Sequence, residues 1–175
     1  EVPTMTMISA SAAATAAAPL PLGSNPEPAA AILAAAGQLL RHLERGERVD
    51  AAALRAAMET AFGASDATGA WDWKTAYDAC EAATVLFLRK YGRALFRKAG
   101  SPAARLSAVS KIANLLPTHT RRSAESQTFQ QFSTPIPLGL VAACAAAITP
   151  ADRVLEPSAG TGLFAIFAEI AGGAL

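Results

Sequence analysis

Large apolar residues recur at helical spacing through most of this chain. Ile32, Leu33, Ala36, Leu39, Leu40 and Leu43 follow the i, i+3, i+4 rule, with Pro28 suited to a first turn and Gly46 to a stop, so the spacing predicts a helix between them. A second helix is predicted from Asp50, as N-cap, to Gly63, carrying Leu54, Met58 and Phe62 inward; the two make a helical hairpin. Beyond a loop around Ala64 to Gly69, a long helix runs from about Trp71 to Lys98, with Tyr77, Cys80, Thr84, Phe87 or Leu88, Tyr91 and Leu95 as its apolar stripe. Ser101-Pro102 starts a fourth, carrying Leu106, Val109, Ile112, Leu115 and Leu116 and stopped by Pro117.

The pattern fails at two places and changes character at a third. Residues 1–27 combine Ala, Ser, Thr and Pro with almost no large apolar side chains and are expected to form a disordered tail, because they cannot offset the entropy of ordering. Residues 118–127 read as a polar, basic linker. From 128 to 175 the sequence predicts a polar turn at Phe132-Ser-Thr-Pro135, an Ala-rich helix, a break at Thr149-Pro150, a short strand from Arg153 to Glu156, and a second helix opened by Ser158-Ala-Gly-Thr-Gly162. The predicted fold class is therefore mainly α: a helical module over 28–117, followed by a helix–strand–helix unit of α/β type. There is no internal repeat.

Composition bounds this picture. The 175 residues suffice for one ordinary domain, although the Ala excess and scarce aromatics make its core thin. Fifteen Lys plus Arg against fourteen Asp plus Glu give a net charge of +1, but the charges are unevenly placed. From Ala82 to Ala124 there is no acidic residue, while Arg89, Lys90, Arg93, Arg97, Lys98, Arg105, Lys111, Arg121 and Arg122 are all basic, a hint of a polyanion partner. Arg89, Arg93 and Arg97 share one helical face and are the candidate nucleic-acid contacts, weighed against an ordinary solvated face.

The two cysteines, Cys80 and Cys144, are far apart in helical patterns and read as two buried thiols in a reducing compartment. His42 reads as a surface residue and His119 as a loop residue, neither with metal-ligand spacing, so no metal is expected. Ile8 to Gly23 lacks the basic segment of a secretory signal, and Leu138 to Ile148 is too short to span a bilayer; a cytoplasmic protein without a membrane partner is the expectation. The chain starts at Glu1 and stops at Leu175 directly after a helix, which reads as a fragment of something longer.

The chemistry-bearing stretch is Glu156-Pro-Ser-Ala-Gly160-Thr-Gly162. A carboxylate ending a strand and followed by a Gly-x-Gly turn fits three readings. Gly160-x-Gly162-x-x-Ala165 satisfies the loose dinucleotide fingerprint; a structural turn is the second; the third is the cofactor motif of class I S-adenosylmethionine-dependent methyltransferases. Phe132-Ser-Thr-Pro135 and then Val154-Leu-Glu-Pro-Ser-Ala-Gly-Thr-Gly162 together resemble the amino-methylating DNA methyltransferases, where a Phe-x-Thr-Pro-like motif, a helix and strand one follow in that order. With Trp71-Asp-Trp-Lys, Tyr77-Asp-Ala-Cys-Glu81, Phe87-Leu-Arg-Lys90 and Leu116-Pro-Thr-His-Thr-Arg-Arg122, the stretch from residue 28 onward resembles the amino-terminal part of bacterial methylase/helicase proteins related to strawberry notch.

That resemblance implies a truncated Rossmann-like methyltransferase domain opening in 128–175. It implies an S-adenosylmethionine site in which Thr134 and Ser133 hydrogen-bond the methionine carboxylate, Glu156 holds the ammonium side, and Gly160 and Gly162 line the ligand. Phe132, Pro135, Pro157 and Ser158 complete the two motifs. It further implies DNA and a C-terminal helicase-like region as partners of the parent protein, and methylation of the adenine N6 amine as the parent reaction. The Asn/Asp-Pro-Pro-aromatic motif that would hold a flipped base is not in this chain, so no catalytic residue is assigned and the chain alone is expected to be inactive. The alternative is a degenerate methyltransferase fold serving as a DNA-binding or coupling module of a larger helicase; a nicotinamide enzyme is a third, weaker candidate.

Overall fold

The computed structural model describes residues 27–117 and 133–175, and these are mainly α-helical. Helix α1 spans Pro28–Arg45, α2 Ala51–Phe62, α3 Trp73–Ala99 and α4 Pro102–Ala113, with a 3₁₀ turn at Asp66–Thr68. In the second stretch, α5 spans Ile136–Ala145 and α6 Ala165–Ala171. The predicted linker, His119, Arg121, Arg122, Phe132 and the tail before Glu27 lie outside the described residues. Glu27, the last residue of the predicted tail, caps the first turn of α1 by accepting from the Ala30 N–H at 3.2 Å.

Local capping explains where the helices begin. Asp50 accepts from the Ala53 N–H at 2.8 Å and Ser101 from the Ala104 N–H at 3.2 Å, while Gly46 and Gly63 end α1 and α2. α3 starts later than Trp71: Asp72 is its N-cap, accepting from both the N–H and the hydroxyl of Thr75, at 2.7 and 2.6 Å. Trp71, just outside the helix, is buried and donates its indole N–H to the Ala64 carbonyl at 2.9 Å; it shares a core with Ala76, the pairing of a hydrophobic staple. Trp73 meets it edge-on at 6.0 Å and lies under the Arg55 guanidinium at 5.5 Å.

Two apolar clusters form along α3. The first joins α1 and α2 to the front half of α3 through Leu39, Leu54, Met58, Trp71 and Tyr77, with Ala35, Ala36, Ala76, Ala79 and Ala83 letting backbones approach closely. The second joins Val85, Leu88 and Phe96 of α3 to Val109 and Ile112 of α4, Ile136 and Leu140 of α5, and Ile166 and Phe167 of α6. It therefore draws on residues from both sides of the predicted linker. The rings of Phe96 and Phe167 lie parallel with centroids 6.2 Å apart. Because α3 is covered on two sides, its buried surface is wider than the predicted stripe: Ala76, Ala79, Glu81, Ala83, Val85, Gly92 and Phe96 are buried too, while Phe87, Tyr91 and Leu95 are half-buried.

Two expectations are corrected. The strand over Arg153–Glu156 is reduced to a single parallel bridge between Arg153 and Ala174, closed by Val154 N–H to Ala174 C=O at 2.8 Å and Ala174 N–H to Asp152 C=O at 3.0 Å. A ladder needs a continuous neighbour, and among the described residues Leu155 finds none, standing 86% exposed. The helix–strand–helix unit is thus a helix, a bridged extended segment and a helix. Cys144 is exposed rather than buried, whereas Cys80 is buried as expected. α5 is apolar on all sides and buries only one, so its sequence alone could not tell which. Among the described residues no helix is long and apolar enough to cross a membrane.

Candidate functional site

The Gly-x-Gly turn links the bridged segment to α6. Gly160 has φ of 50° and Gly162 of 87°, both left-handed, so the glycines are demanded by backbone shape. A Cβ on Gly162 would meet no atom within 4 Å, which leaves open space beside the turn. The turn is closed by the Gly162 N–H donating to the Ala159 carbonyl at 2.7 Å, and the Gly162 carbonyl accepts from the Ile166 N–H at 3.0 Å as α6 begins. Glu156 is half-buried and accepts from the Ser158 N–H at 3.3 Å, so it braces the start of the same turn; Pro157 and Ser158 are exposed.

Thr161, between the two glycines, donates its hydroxyl to the Glu81 carboxylate at 2.7 Å. Glu81 is 7% exposed, on the buried side of α3 one turn after Tyr77 and one turn before Val85. Sequence reasoning missed its contact with the turn. The available signal was an acidic residue set in an apolar stripe, since a buried carboxylate is costly without polar partners.

Glu156 also lines a cleft of about 160 Å³ between α5 and its C-cap, at Ala142, Ala143 and Ala146, and α6 and its N-cap, at Phe164, Ala165 and Ala168, with Ile148 and Val154 as its remaining walls. The cleft is apolar apart from the carboxylate. Small-molecule sites usually enclose roughly 300–1,000 Å³, so this one could take part of a ligand and not the whole of a nucleoside cofactor. Pro135 is the N-cap of α5 and its carbonyl accepts from Leu138 N–H at 2.9 Å. Ser133, exposed, and Thr134, half-buried, precede it and do not line the cleft. The helical rise sets Ile136 roughly 9 Å from Ala142 along the axis of α5, and Thr134 lies beyond Ile136. The structure thus joins Glu156 to the glycine turn but leaves Ser133 and Thr134 at the far end of α5.

The basic face of α3 is divided. Arg89 grips Glu169 of α6 with its Nε 3.2 Å from both carboxylate oxygens and its Nη2 2.9 Å from Oε2. Arg93 donates to the Glu169 backbone carbonyl at 3.0 Å. Lys90 turns the other way, 2.7 Å from Glu44 of α1; its hydrogen bond, with that of Tyr91, holds the Glu44 carboxyl below its ordinary value. Arg97 is exposed.

Burial, with the neighbouring Glu81 charge adding to it, pushes the Cys80 thiol up to about 12, so it is not a thiolate near neutrality. Among the described residues no group of three or more His, Cys, Asp or Glu is arranged to hold a metal ion. No protein-family model, curated protein or solved structure matches the chain.

Proposed function

We propose that this chain supplies the methionine-binding half of an S-adenosylmethionine site belonging to a DNA adenine-N6 methyltransferase-like protein, and that it does not transfer methyl groups by itself. The observation carrying this reading is the turn from Glu156 to Gly162. It follows an extended segment whose Arg153 pairs in parallel with Ala174 beyond α6, and parallel pairing through a helical crossover is how βαβ units are joined. Glu156 at the edge of an apolar cleft suits a cationic ligand with a hydrocarbon arm, and the open space beside Gly162 admits close backbone approach. Thr134 and Ser133 would serve the methionine carboxylate after a shift of the start of α5 toward the turn.

In this reading α3 and α4 present a basic surface to DNA, with Arg97 as its free contact, while Arg89 and Arg93 reach phosphates only on releasing Glu169. Isothermal titration of the chain with S-adenosylmethionine, methionine and NAD tests the cofactor assignment. S-adenosylmethionine should bind, NAD should not, and Glu156→Ala should abolish the signal. Preference for NAD sinks the proposal.

The small cleft favours a second reading, a degenerate methyltransferase fold used as a DNA-binding or coupling module of a helicase. It is chosen if neither wild-type protein nor the variant binds any of the three ligands.

A further inference from the structure

We propose that Glu81 is a positioning residue: from the middle of α3 its buried carboxylate holds the Thr161 hydroxyl and so fixes Gly160-Thr161-Gly162 in the shape that receives the methionine end of the cofactor. The inference rests on the reading above for the identity of the ligand. The positioning itself is geometric.

A left-handed residue on each side of Thr161 leaves this part of the chain without the repeating hydrogen bonds of a helix or ladder. The glycines on either side of Thr161 also give the turn more backbone freedom than L-residues would. A 2.7 Å bond from its central side chain to a residue 80 positions away ties it to the longest helix of the described structure. The anchor is rigid because α3 is itself docked here, with Arg89 and Arg93 on Glu169 and the Gly92 backbone against Ile170. Preorganisation of this kind raises affinity by removing the ordering cost at the moment of binding.

The test compares wild type with Thr161→Val, Thr161→Ser, Glu81→Leu and Glu81→Gln, measuring amide hydrogen exchange across residues 159–163, S-adenosylmethionine affinity by calorimetry, and thermal melting. Thr161→Val removes the donor at constant shape. It should speed exchange in the turn and weaken binding roughly fivefold to tenfold, as should Glu81→Leu. Thr161→Ser and Glu81→Gln keep a donor and an acceptor and should stay within about twofold of wild type. Wild-type exchange and affinity in Thr161→Val, or failure of both conservative variants to rescue while melting is unchanged, overturns the positioning role. Wild-type protein that binds no S-adenosylmethionine overturns the cofactor reading, and the exchange rates then still decide whether Glu81 holds the turn.

Discussion

The grip of Arg89 on Glu169 sets docking against nucleic-acid binding, and a double-mutant cycle separates the two. The guanidinium meets the carboxylate through three contacts of 2.9 to 3.2 Å, an ordered fork rather than a chance approach. Its side chains are 57% and 35% exposed, so solvent screens the attraction and the expected coupling is about 0.5–1 kcal/mol, the upper part of the range for surface pairs. For a chain of this size, 1 kcal/mol moves the melting midpoint by roughly 2–4 °C. Urea unfolding of wild type, Arg89→Ala, Glu169→Ala and the double variant at low salt should return that coupling. In 1 M salt, where the Debye length is about 3 Å, it should shrink toward zero. Arg93 is the internal control: it bonds the Glu169 backbone carbonyl, so Arg93→Ala should cost the same in either background. If Arg89 also serves DNA, Glu169→Ala should tighten duplex binding and steepen its salt slope by about one phosphate contact. A coupling indistinguishable from zero at low salt would refute the docking role and return Arg89 to the phosphate-facing set.

The Asp72 carboxyl is lowered from 3.8: burial opposes ionisation, but the hydroxyl and N–H of Thr75 outweigh it. A depressed folded value contributes stability that is complete above about pH 3.8 and is lost as pH falls through the lower folded value, so Asp72→Asn, which keeps a cap acceptor, should flatten the acid limb of a stability–pH curve. Equal limbs would count against the cap. A thiol reagent should label Cys144 in the native protein and Cys80 only after denaturation, as mass spectrometry of the modified peptides can check. Gly162→Ala should cost about 1–2 kcal/mol and exceed Gly160→Ala, because φ of 87° lies outside the left-handed island open to L-residues while 50° lies at its edge. Equal losses in urea unfolding would show that the turn relaxes freely.

What was legible in the sequence was local. Asp50, Gly63, Ser101 and Gly46 mark helix ends through bonds made within one turn, and α1, α2 and the start of α4 fall where those signals put them, whereas α3 starts at Trp73 and α4 ends at Ala113, short of Leu115 and Leu116. The width of the buried surface on α3 was not legible, because it depends on α1 covering one side and α6 another. Cys144 was misplaced for the same reason, α5 being apolar all round. The strand from Arg153 could be read as extended backbone but not as a ladder, whose existence depends on a neighbour. At the candidate site, Gly160 and Gly162 were readable from their conformational demand. Glu81 and the Arg89 to Glu169 pair were not, since each joins residues far apart in sequence.

The same non-local packing makes α3 the element on which the glycine turn depends. The large apolar side chains of 133–175 that become buried, Ile136, Leu140, Ile166 and Phe167, close against Val85, Leu88 and Phe96 of α3 and Val109 and Ile112 of α4. Removed from those partners, they would form half a cluster. Each fully buried side chain of this kind contributes roughly 1.5–3 kcal/mol, and isolated helices as short as α5 and α6 are marginal in water. Close approach reinforces the dependence. A Cβ on Gly92 would come 2.5 Å from Ile170 Cδ1, so α6 rests on the bare α3 backbone. Residues 128–175 expressed alone should therefore lack cooperative melting and helical circular dichroism, whereas 28–175 should show both. A cooperatively folded 128–175 would mean that the turn is shaped within its own segment, and that Glu81, Arg89 and Gly92 merely lean on a unit already formed.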